Sequence, residues 1–388
     1  MIDLNRHTEC TGCGACVNIC PKDAITLAPD ESGFLHPCID EAKCVDCNLC
    51  NGVCQMDLCS EKAEGPGTFY ALVNNNSQHL KVSSSGGAFL AVAEYVFSLG
   101  GLVAGCAFDE NLKATHILTD NLAECIQKLC GSKYVQSETG QTFREVKSQL
   151  AAGKTVLYVG TPCQIEGLLL FLKGRPEKLI TMDLICHGVS SPLLWKRHKE
   201  YLEHQAKGKL KDYQFRSKKK ADAPPYYYHY TYGEKNRTKQ GISLLDRYYT
   251  DFLKGLNHRE SCYRCRYANQ NRVGDLTIGD AWGSKTFAPE LKARQGISLI
   301  AVNTALGEEV LKQISKNVTL QPVLAQAAAQ YNHNLLAPSP RPAVRDQYYV
   351  NCFTDFEGWE KAYVSTGAWK LAKLKSLIPA PIKRLLGR

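Results

Sequence analysis

Residues 9–21 read ECTGCGACVNICP and residues 44–54 read CVDCNLCNGVC, so two cysteine runs of identical spacing lie close together in the chain. Each run has the form C-x2-C-x2-C-x3-C, which is the spacing with which bacterial proteins hold 4Fe-4S clusters. Three thiolates in one short loop can wrap one face of an iron–sulfur cubane, and Gly12 and Gly14 allow backbone amides to approach its sulfides. The spacing therefore predicts two 4Fe-4S clusters within residues 1–62.

The fourth cysteine of each run is expected to ligate the cluster of the other run. We therefore predict one cluster held by Cys10, Cys13, Cys16 and Cys54, and a second held by Cys44, Cys47, Cys50 and Cys20. A zinc site or a disulfide framework is the alternative, but zinc favours two C-x2-C pairs with a spacer over two unbroken runs. This head resembles a bacterial two-cluster ferredoxin domain.

Length and cysteine content set the broad class of the protein. The 388 residues allow two or three domains. The first twenty residues lack the apolar segment of a secretory leader, and no window approaches about 18 uninterrupted apolar residues, so we expect neither a signal peptide nor a membrane-spanning helix. The 18 cysteines then indicate metal chemistry in a reducing compartment. We expect a cytoplasmic protein.

Charge is distributed unevenly along the chain. Residues 1–64 carry 4 Lys/Arg against 11 Asp/Glu, whereas the remaining residues carry 43 against 27. An acidic head and a basic body favour docking of one on the other, and leave basic surface for an acidic partner or an anionic cofactor. No nucleic-acid-binding motif accompanies the dispersed positive charge, so nucleic acid is not expected as a partner.

Alternating strands and helices follow the glycine-rich linker at residues 65–67. Strands rich in Val, Ile and Leu alternate with helical patterns, which is typical of an α/β domain with a largely parallel sheet. The clearest strands are expected at residues 69–73, 102–108, 155–159 and 179–185, and the clearest helices at 88–99, 141–152, 164–173 and 192–205. We expect one lobe at residues 69–190, a second at 191–350, and a basic amphipathic tail at 351–388.

A further cysteine set lies in the body. Cys163 and Cys186 each follow the carboxyl end of a predicted parallel strand, where open α/β sheets bind ligands. Cys262 and Cys265 form a C-x2-C loop that can close over this edge of the sheet. Four thiolates from three segments fit either a third 4Fe-4S cluster or a structural zinc, and the spacing alone leaves both open.

Six short segments of the body occur in an order that resembles a known family. They are Ser85-Gly86-Gly87, Gly131-Ser132-Lys133-Tyr134, Gly160-Thr161-Pro162-Cys163-Gln164, Ile185-Cys186-His187-Gly188, Cys262-x-x-Cys265 and Gly279-Asp280-Ala281-Trp282-Gly283. Together they resemble the beta subunit of coenzyme F420 hydrogenases and dehydrogenases over roughly residues 69–350. The resemblance implies FAD and a nearby 4Fe-4S cluster with Cys163, Cys186, Cys262 and Cys265 as ligands. It implies an α/β (α+β) fold in which the small ferredoxin-like head precedes a flavin-binding body of two lobes.

Residues of these segments can be assigned to a flavin site. Ser84, Ser85, Gly86 and Gly87 precede a helix, where free amides and hydroxyls can receive a pyrophosphate; an ordinary N-cap is the alternative. Ser132, Lys133 and Tyr134 form a turn in which Lys133 can supply charge to a phosphate or to the flavin ring. The sequence does not separate FAD from FMN, and it leaves use of coenzyme F420 open.

Three further side chains are candidates for this site. Thr161 follows a buried strand and can hydrogen-bond the isoalloxazine, or it can satisfy its own turn. His187 adjoins a predicted cluster ligand, and we assign it, with Lys133, to the catalytic set as a proton relay. Arg272 is expected to contact the anionic cofactor or substrate. Structural roles are the alternative for each.

The sequence thus predicts an iron–sulfur flavoprotein oxidoreductase. Electrons would pass between a ferredoxin or another redox partner protein and a small organic substrate, through the head clusters, the body cluster and the flavin. A non-catalytic electron-transfer subunit is the first alternative, and a reductase of a sugar or polysaccharide precursor is a second. The tail interleaves Trp369, Leu371 and Leu374 with lysines, and such a segment can rest on an anionic membrane surface or dock on protein.

Overall fold

The computed structural model describes residues 2–60, 65–218, 227–291 and 295–377. The strands are β1 Ile25–Pro29, β2 Leu35–Ile39, β3 Thr68–Asn74, β4 Leu102–Phe108, β5 Ala114–Thr119, β6 Val156–Gly160, β7 Leu179–Leu184, β8 Leu210–Ser217, β9 Tyr227–Tyr232, β10 Arg237–Ile242, β11 Leu276–Asp280, β12 Ser298–Val302 and β13 Val318–Val323. The helices are α1 Ala15–Ile19, α2 Ser77–Val82, α3 Ala88–Ser98, α4 Leu122–Glu124, α5 Thr142–Ala151, α6 Pro162–Leu172, α7 Pro192–Ala206, α8 Arg247–Leu253, α9 Ser284–Phe287, α10 Ala305–Ile314, α11 Ala325–Tyr331, α12 Arg345–Thr354, α13 Phe356–Ser365 and α14 Gly367–Leu377.

Eight strands form one mixed sheet in the order β13-β3-β12-β11-β7-β6-β4-β5. The predicted α/β class is confirmed, but the sheet is parallel only at its centre, across β11, β7, β6 and β4. Its two sides are antiparallel. The short connection from β4 to β5 forces a hairpin, because a parallel pair needs a long crossover. Strands from both predicted lobes share this sheet.

Helices cover both faces of the sheet, and the alternation of β6 shows why. Leu157 packs with α3 and α10 on one face, whereas Val156 and Tyr158 pack with α5 and α6 on the other. Successive side chains of a strand point to opposite faces, so a strand that is apolar at every position requires cover on both sides. The carboxyl end of this strand therefore opens between two helical layers.

An antiparallel sheet of β10, β9 and β8 forms the centre of a second layer. Its core is aromatic and includes Trp195, Tyr213, Phe215 and Tyr248. His198 on α7 lies inside this layer, with Nδ1 2.7 Å from Glu360 and Nε2 3.3 Å from Asp246. The layer forms one wall of the large cavity described below.

The head contains α1 and the β1–β2 hairpin, and it packs through α1 on α5 and α6. No helix within the described residues is long and apolar enough to cross a bilayer. The predicted tail contains α13 and α14, and the indole nitrogen of Trp369 donates to the Leu245 carbonyl over 3.1 Å. Residues 378–388 of the tail and residues 61–64 before the predicted linker lie outside the described ranges.

Candidate functional site

The first cysteine loop of the head presents both thiols and amides to one point. Gly12 and Gly14 have φ of 68° and 79°, a conformation that favours glycine. The Gly12 amide consequently points at the Cys10 sulfur, 3.4 Å away. Cys13, Cys16 and Cys54 lie within electrostatic reach of Cys10, and burial raises the pKa of Cys13 to about 11. Burial thus disfavours the free thiolates that a bound cluster would need.

The other four cysteines of the head surround a separate small cavity. Its lining includes Cys20, Cys44, Cys47 and Cys50, together with Pro21. Cys20 comes from the first run and the others come from the second, so the two runs exchange their fourth members here. Cys47 is exposed, as are the adjoining Val45 and Leu49. We refer to this group as the distal cysteine set, and to Cys10, Cys13, Cys16 and Cys54 as the proximal set.

Cys163, Cys186, Cys262 and Cys265 line one cavity of about 330 Å³, and we refer to them as the body set. Cys163 lies in the first turn of α6, which is closed by a capping box of Thr161 and Gln164. The Thr161 hydroxyl lies 3.1 Å from the Cys163 sulfur. Burial raises the pKa of Cys186 and of Cys262 to about 12. Within the described ranges, no group of three or more His, Cys, Asp or Glu is arranged to hold a metal ion.

A larger cavity of about 470 Å³ lies beside the body set. Thr161, Gln164, Cys186 and His187 line both cavities, so the two spaces share a wall. The predicted cofactor residues that line the larger one are Ser84, Ser85, Gly87, Ser132, Lys133, Tyr134 and Thr161. The structure thus brings most of the predicted flavin residues together next to the body set.

Ser84 and Ser132 form the contact between the two predicted phosphate segments. The Ser84 hydroxyl oxygen accepts from the Ser132 amide at 2.8 Å and lies 3.0 Å from its hydroxyl. Ser85 is engaged elsewhere, because its hydroxyl donates to the Ile297 carbonyl. Gly86 is not part of the cavity lining, and a Cβ there would lie 2.3 Å from the Leu72 carbonyl oxygen. Gly86 therefore serves close packing of the chain beside β3.

Lys133 is held by backbone carbonyls. Its ammonium donates to the carbonyls of Lys128, Leu129 and Cys130 at 2.7, 3.1 and 3.0 Å. Burial lowers the pKa of this lysine. All three of its protons are thus engaged, so contact with a phosphate or a flavin edge requires that one of these bonds be exchanged.

The opposite wall contains an ion pair that sequence reasoning missed. Arg216 at the end of β8 contacts Asp280 at 2.6 and 3.1 Å, in a bidentate arrangement. Its guanidinium also donates to the Tyr134 hydroxyl over 3.3 Å. Trp282 lines the same wall. Asp280 and Trp282 belong to one of the six segments quoted above, but a lone arginine at a strand end carries no such signal.

His187 and Arg272 occupy different positions from one another. His187 is exposed at the wall between the two cavities, and burial of its surroundings lowers its pKa. Arg272 does not line either cavity. It is 2% exposed, pairs with Asp183 at 2.9 Å, and donates to the carbonyls of Leu184 and Tyr267. Arg272 thereby links the segment before Cys186 to the loop after Cys265.

The head meets the body at the first turn of α6. Gln55 donates through Nε2 to the Cys163 carbonyl at 2.9 Å, and its Oε1 accepts from the Tyr267 hydroxyl at 2.6 Å. A Cβ on Gly167 would lie 2.9 Å from the Cys13 sulfur. The proximal set therefore packs on the same helix that carries a member of the body set, and the distal set faces away.

Two family models match the chain. Residues 153–325 match the model of the C-terminal part of the beta subunit of coenzyme F420 hydrogenase/dehydrogenase, and residues 9–58 match the 4Fe-4S dicluster domain. Both family predictions made from the sequence are confirmed by these matches. One component of the F420H2 dehydrogenase of Methanosarcina mazei is 22% identical over 196 residues, which make up 47% of this chain and 55% of that protein. The match thus spans little more than half of that relative.

One solved structure is also similar to this chain. It is a chain of the F420-reducing nickel–iron hydrogenase complex from Methanosarcina barkeri. The superposition has a TM-score of 0.47 at 15% sequence identity, and it covers 72% of this chain and 92% of that one.

Proposed function

Because this chain joins a 4Fe-4S dicluster domain to a domain found in the beta subunits of coenzyme F420 hydrogenases and dehydrogenases, we propose that it is a flavin-dependent iron–sulfur oxidoreductase. Its head exchanges electrons with a redox partner protein, and its body passes them to an organic acceptor or takes them from one. The observation that carries the proposal is the wall shared by the cysteine-lined cavity and the larger cavity beside it.

The cysteine sets suit clusters in number and surroundings. Each set supplies four thiols, which is the ligand set of a 4Fe-4S cluster. Cys10, Cys13, Cys16 and Cys54 would hold the proximal cluster, Cys20, Cys44, Cys47 and Cys50 the distal one, and Cys163, Cys186, Cys262 and Cys265 the body cluster. The first-turn amides of α6 favour negative charge at Cys163. When bound, the clusters carry single electrons and the flavin exchanges two.

The larger cavity also suits a flavin. His116 lines it, is 4% exposed, and has no hydrogen-bond partner at Nδ1 among the described residues. Its Nε2 faces the Val159 carbonyl, so Nε2 carries the proton. Burial lowers the pKa of His116 to about 4, and the neutral ring therefore offers Nδ1 as an acceptor. An N–H group of a flavin ring would satisfy it.

The chain's own residues divide the remaining tasks. Ser84 and Ser132 bind at the phosphate end of the cofactor, and the Gly131 turn leaves open space beside it. Ile185, Ile278 and Phe252 line the ring end and exclude water. His187, exposed at the wall between the cavities, holds or moves a proton at its ring nitrogen.

The contacts of the head give an order for the three clusters. The proximal set packs against α6 through Cys13, whereas the distal set exposes Cys47 between Val45 and Leu49. We propose that the partner docks at the distal set and that electrons cross the proximal set to reach Cys163. The acidic head favours a partner with a basic, apolar-centred face.

The mouth of the larger cavity favours an enzyme over a covered relay. Trp282 and Leu253 line the cavity and remain 43% and 51% exposed. A small organic molecule can therefore approach the cavity from solvent, whereas a relay protein needs no such opening. Coenzyme F420 is one candidate acceptor, and a sugar or polysaccharide precursor is another.

Cofactor analysis of protein isolated without oxygen tests the proposal. The expected result is about twelve iron atoms per chain, equal to three clusters, and one flavin identified by its spectrum and mass. Stoichiometric zinc without flavin would contradict it. Reduced protein is then mixed with coenzyme F420, whose absorbance reports reduction; no electron exchange would remove that coenzyme as acceptor.

A second candidate role concerns the tail. Leu371 and Leu374 on α14 are 52% and 64% exposed, and basic residues adjoin them. We propose that this surface rests on anionic membrane. Co-sedimentation with vesicles rich in anionic lipid should decrease in the Leu371→Asp/Leu374→Asp variant; equal binding by this variant and the unaltered chain would contradict a membrane role.

A further inference from the structure

Arg259 crosses the junction between body and head. It is the largest of the described side chains that are almost completely buried, with 1% exposure. Its guanidinium donates to the carbonyl oxygens of Cys10 and Leu35 at 2.7 and 2.9 Å, and to Oε1 of Gln136 at 3.1 Å. The ring of His36 lies 3.1 Å away. A body residue thus reaches the backbone of a proximal cysteine.

This buried cation forms no ion pair with a carboxylate in the described part of the chain. Asp30 lies on the far side of His36, 3.2 Å from its Nε2. A guanidinium does not lose its proton in a protein. Burial of an ion without an opposite charge costs several kcal/mol, and hydrogen bonds to carbonyls compensate only in part. The environment of Arg259 therefore requires a nearby anion.

We infer that Arg259 is the charge partner of the proximal cluster and raises its reduction potential. A cubane with four thiolate ligands is an anion in its oxidised state and gains a further negative charge on reduction, so a fixed cation beside it favours the reduced state. This inference rests on the iron–sulfur part of the proposed function, and it is independent of the flavin and of the acceptor.

The backbone of Arg259 belongs to the other cluster site. Its carbonyl accepts from the Cys262 amide at 2.9 Å, and its amide donates to the Val189 carbonyl at 3.0 Å. The segment that fixes the body set therefore also aims the guanidinium at Cys10. Correct docking of the head thus determines both the distance between the two clusters and the charge beside one of them.

Arg144 provides a matched comparison. It also extends from the body to the head, where it donates to the Cys20 and Asn18 carbonyls. Unlike Arg259, it has a carboxylate partner, Asp23, at 2.8 Å, and its side chain is 34% exposed. Because its charge is already paired and solvated, its removal should change the potential of the neighbouring distal cluster less.

Redox titration of the anaerobically purified full chain, monitored by paramagnetic resonance, tests the inference. Cys54→Ser and Cys47→Ser variants assign the proximal and distal signals. In Arg259→Gln, the ratio of reduced to oxidised proximal cluster at a fixed potential should fall by about tenfold, equal to about 59 mV for one electron. The distal cluster should not shift, and Arg144→Gln should leave the proximal cluster unchanged.

Two results would overturn the inference. One is an unchanged proximal potential in Arg259→Gln that retains its iron. The other applies if that variant loses its cluster: Arg259→Lys keeps the charge, so a fall in its proximal potential as large as that expected for full charge loss would exclude the charge effect. Absence of head clusters from the unaltered chain would instead contradict the proposed function.

Discussion

The side-chain amide of Gln55 donates to the backbone carbonyl of Cys163 at 2.9 Å, which joins the residue after one predicted cluster ligand to another cluster's predicted ligand. The Tyr267 hydroxyl holds the same glutamine from its other end. This bridge is buried, since Gln55 is 4% exposed. It forms a direct hydrogen-bonded route between the proximal and body sets.

Replacement of the bridge should slow internal electron transfer. In Gln55→Leu, the Cys163 carbonyl and the Tyr267 hydroxyl lose their partner, which costs about 1–3 kcal/mol. We expect iron and flavin content to remain, and the rate of flavin reduction by electrons supplied to the head to fall several-fold in stopped-flow absorbance. Gln78→Leu, at an exposed position, is the control. An unchanged rate in Gln55→Leu would show that electrons take another route.

Gly167 should not tolerate a side chain. Alanine within a helix normally gains about 1 kcal/mol over glycine, but the added Cβ on α6 would lie 2.9 Å from the Cys13 sulfur. Such overpacking costs about 1–3 kcal/mol, so Gly167→Ala should lower the melting temperature and the iron content. Gly52→Ala, where no atom lies within 4 Å of the new Cβ, is the matched control. Equal iron in both variants would contradict close packing of the head on α6.

Flavin retention should depend on the Ser84–Ser132 contact. Ser84→Ala removes the acceptor for the Ser132 amide, and a hydrogen bond contributes about 0.5–1.5 kcal/mol, so flavin affinity should fall by up to about tenfold. Released flavin is measured by fluorescence after gel filtration, and iron should stay constant. Ser98→Ala, at an exposed serine outside the cavity, should retain flavin. Full flavin in Ser84→Ala would place the cofactor elsewhere.

The stability of the second layer should depend on pH through His198. Its two buried carboxylate neighbours, Asp246 and Glu360, raise the pKa of this histidine to about 10 from 6.5. A raised folded-state pKa stabilises fully below pH 6.5, and the stabilisation is lost as the pH rises toward about 10. His198→Gln leaves buried carboxylates unpaired and should cost about 3–5 kcal/mol at pH 6.

The difference in unfolding free energy between the unaltered chain and His198→Gln, measured with urea, should therefore shrink from pH 6.5 to pH 10. His204→Gln, at an exposed position on the same helix, should show no such trend. A difference that is constant over this range would mean that His198 is not charged in the folded state.

Local patterns identified the chemistry of the site better than its arrangement. The cysteine spacing predicted the dicluster head because ligands of one loop are close in sequence. The body set was placed by the rule that ligands gather at the carboxyl ends of parallel strands. By contrast, Arg259 and Arg216 act through contacts more than sixty residues away along the chain, and no periodicity encodes such contacts.

The antiparallel edges of the large sheet and the position of Arg272 were not foreseen for a similar reason. The β3 strand lies between β12 and β13, which are more than two hundred residues downstream, so its neighbours follow from tertiary packing. Arg272 carries the charge expected of an anion-binding residue, but burial beside Asp183 gives that charge an internal partner. Residue type was informative here, whereas direction was set by the fold.

The central claim is that Cys163 belongs to a cluster between the head and a flavin. Iron analysis and paramagnetic resonance of anaerobically purified Cys163→Ser, compared with the unaltered chain, test it most directly. We predict a loss of about four iron atoms, unchanged signals from the two head clusters, and a flavin that electrons supplied to the head no longer reduce. A variant with full iron, an unaltered spectrum and normal flavin reduction would contradict the account.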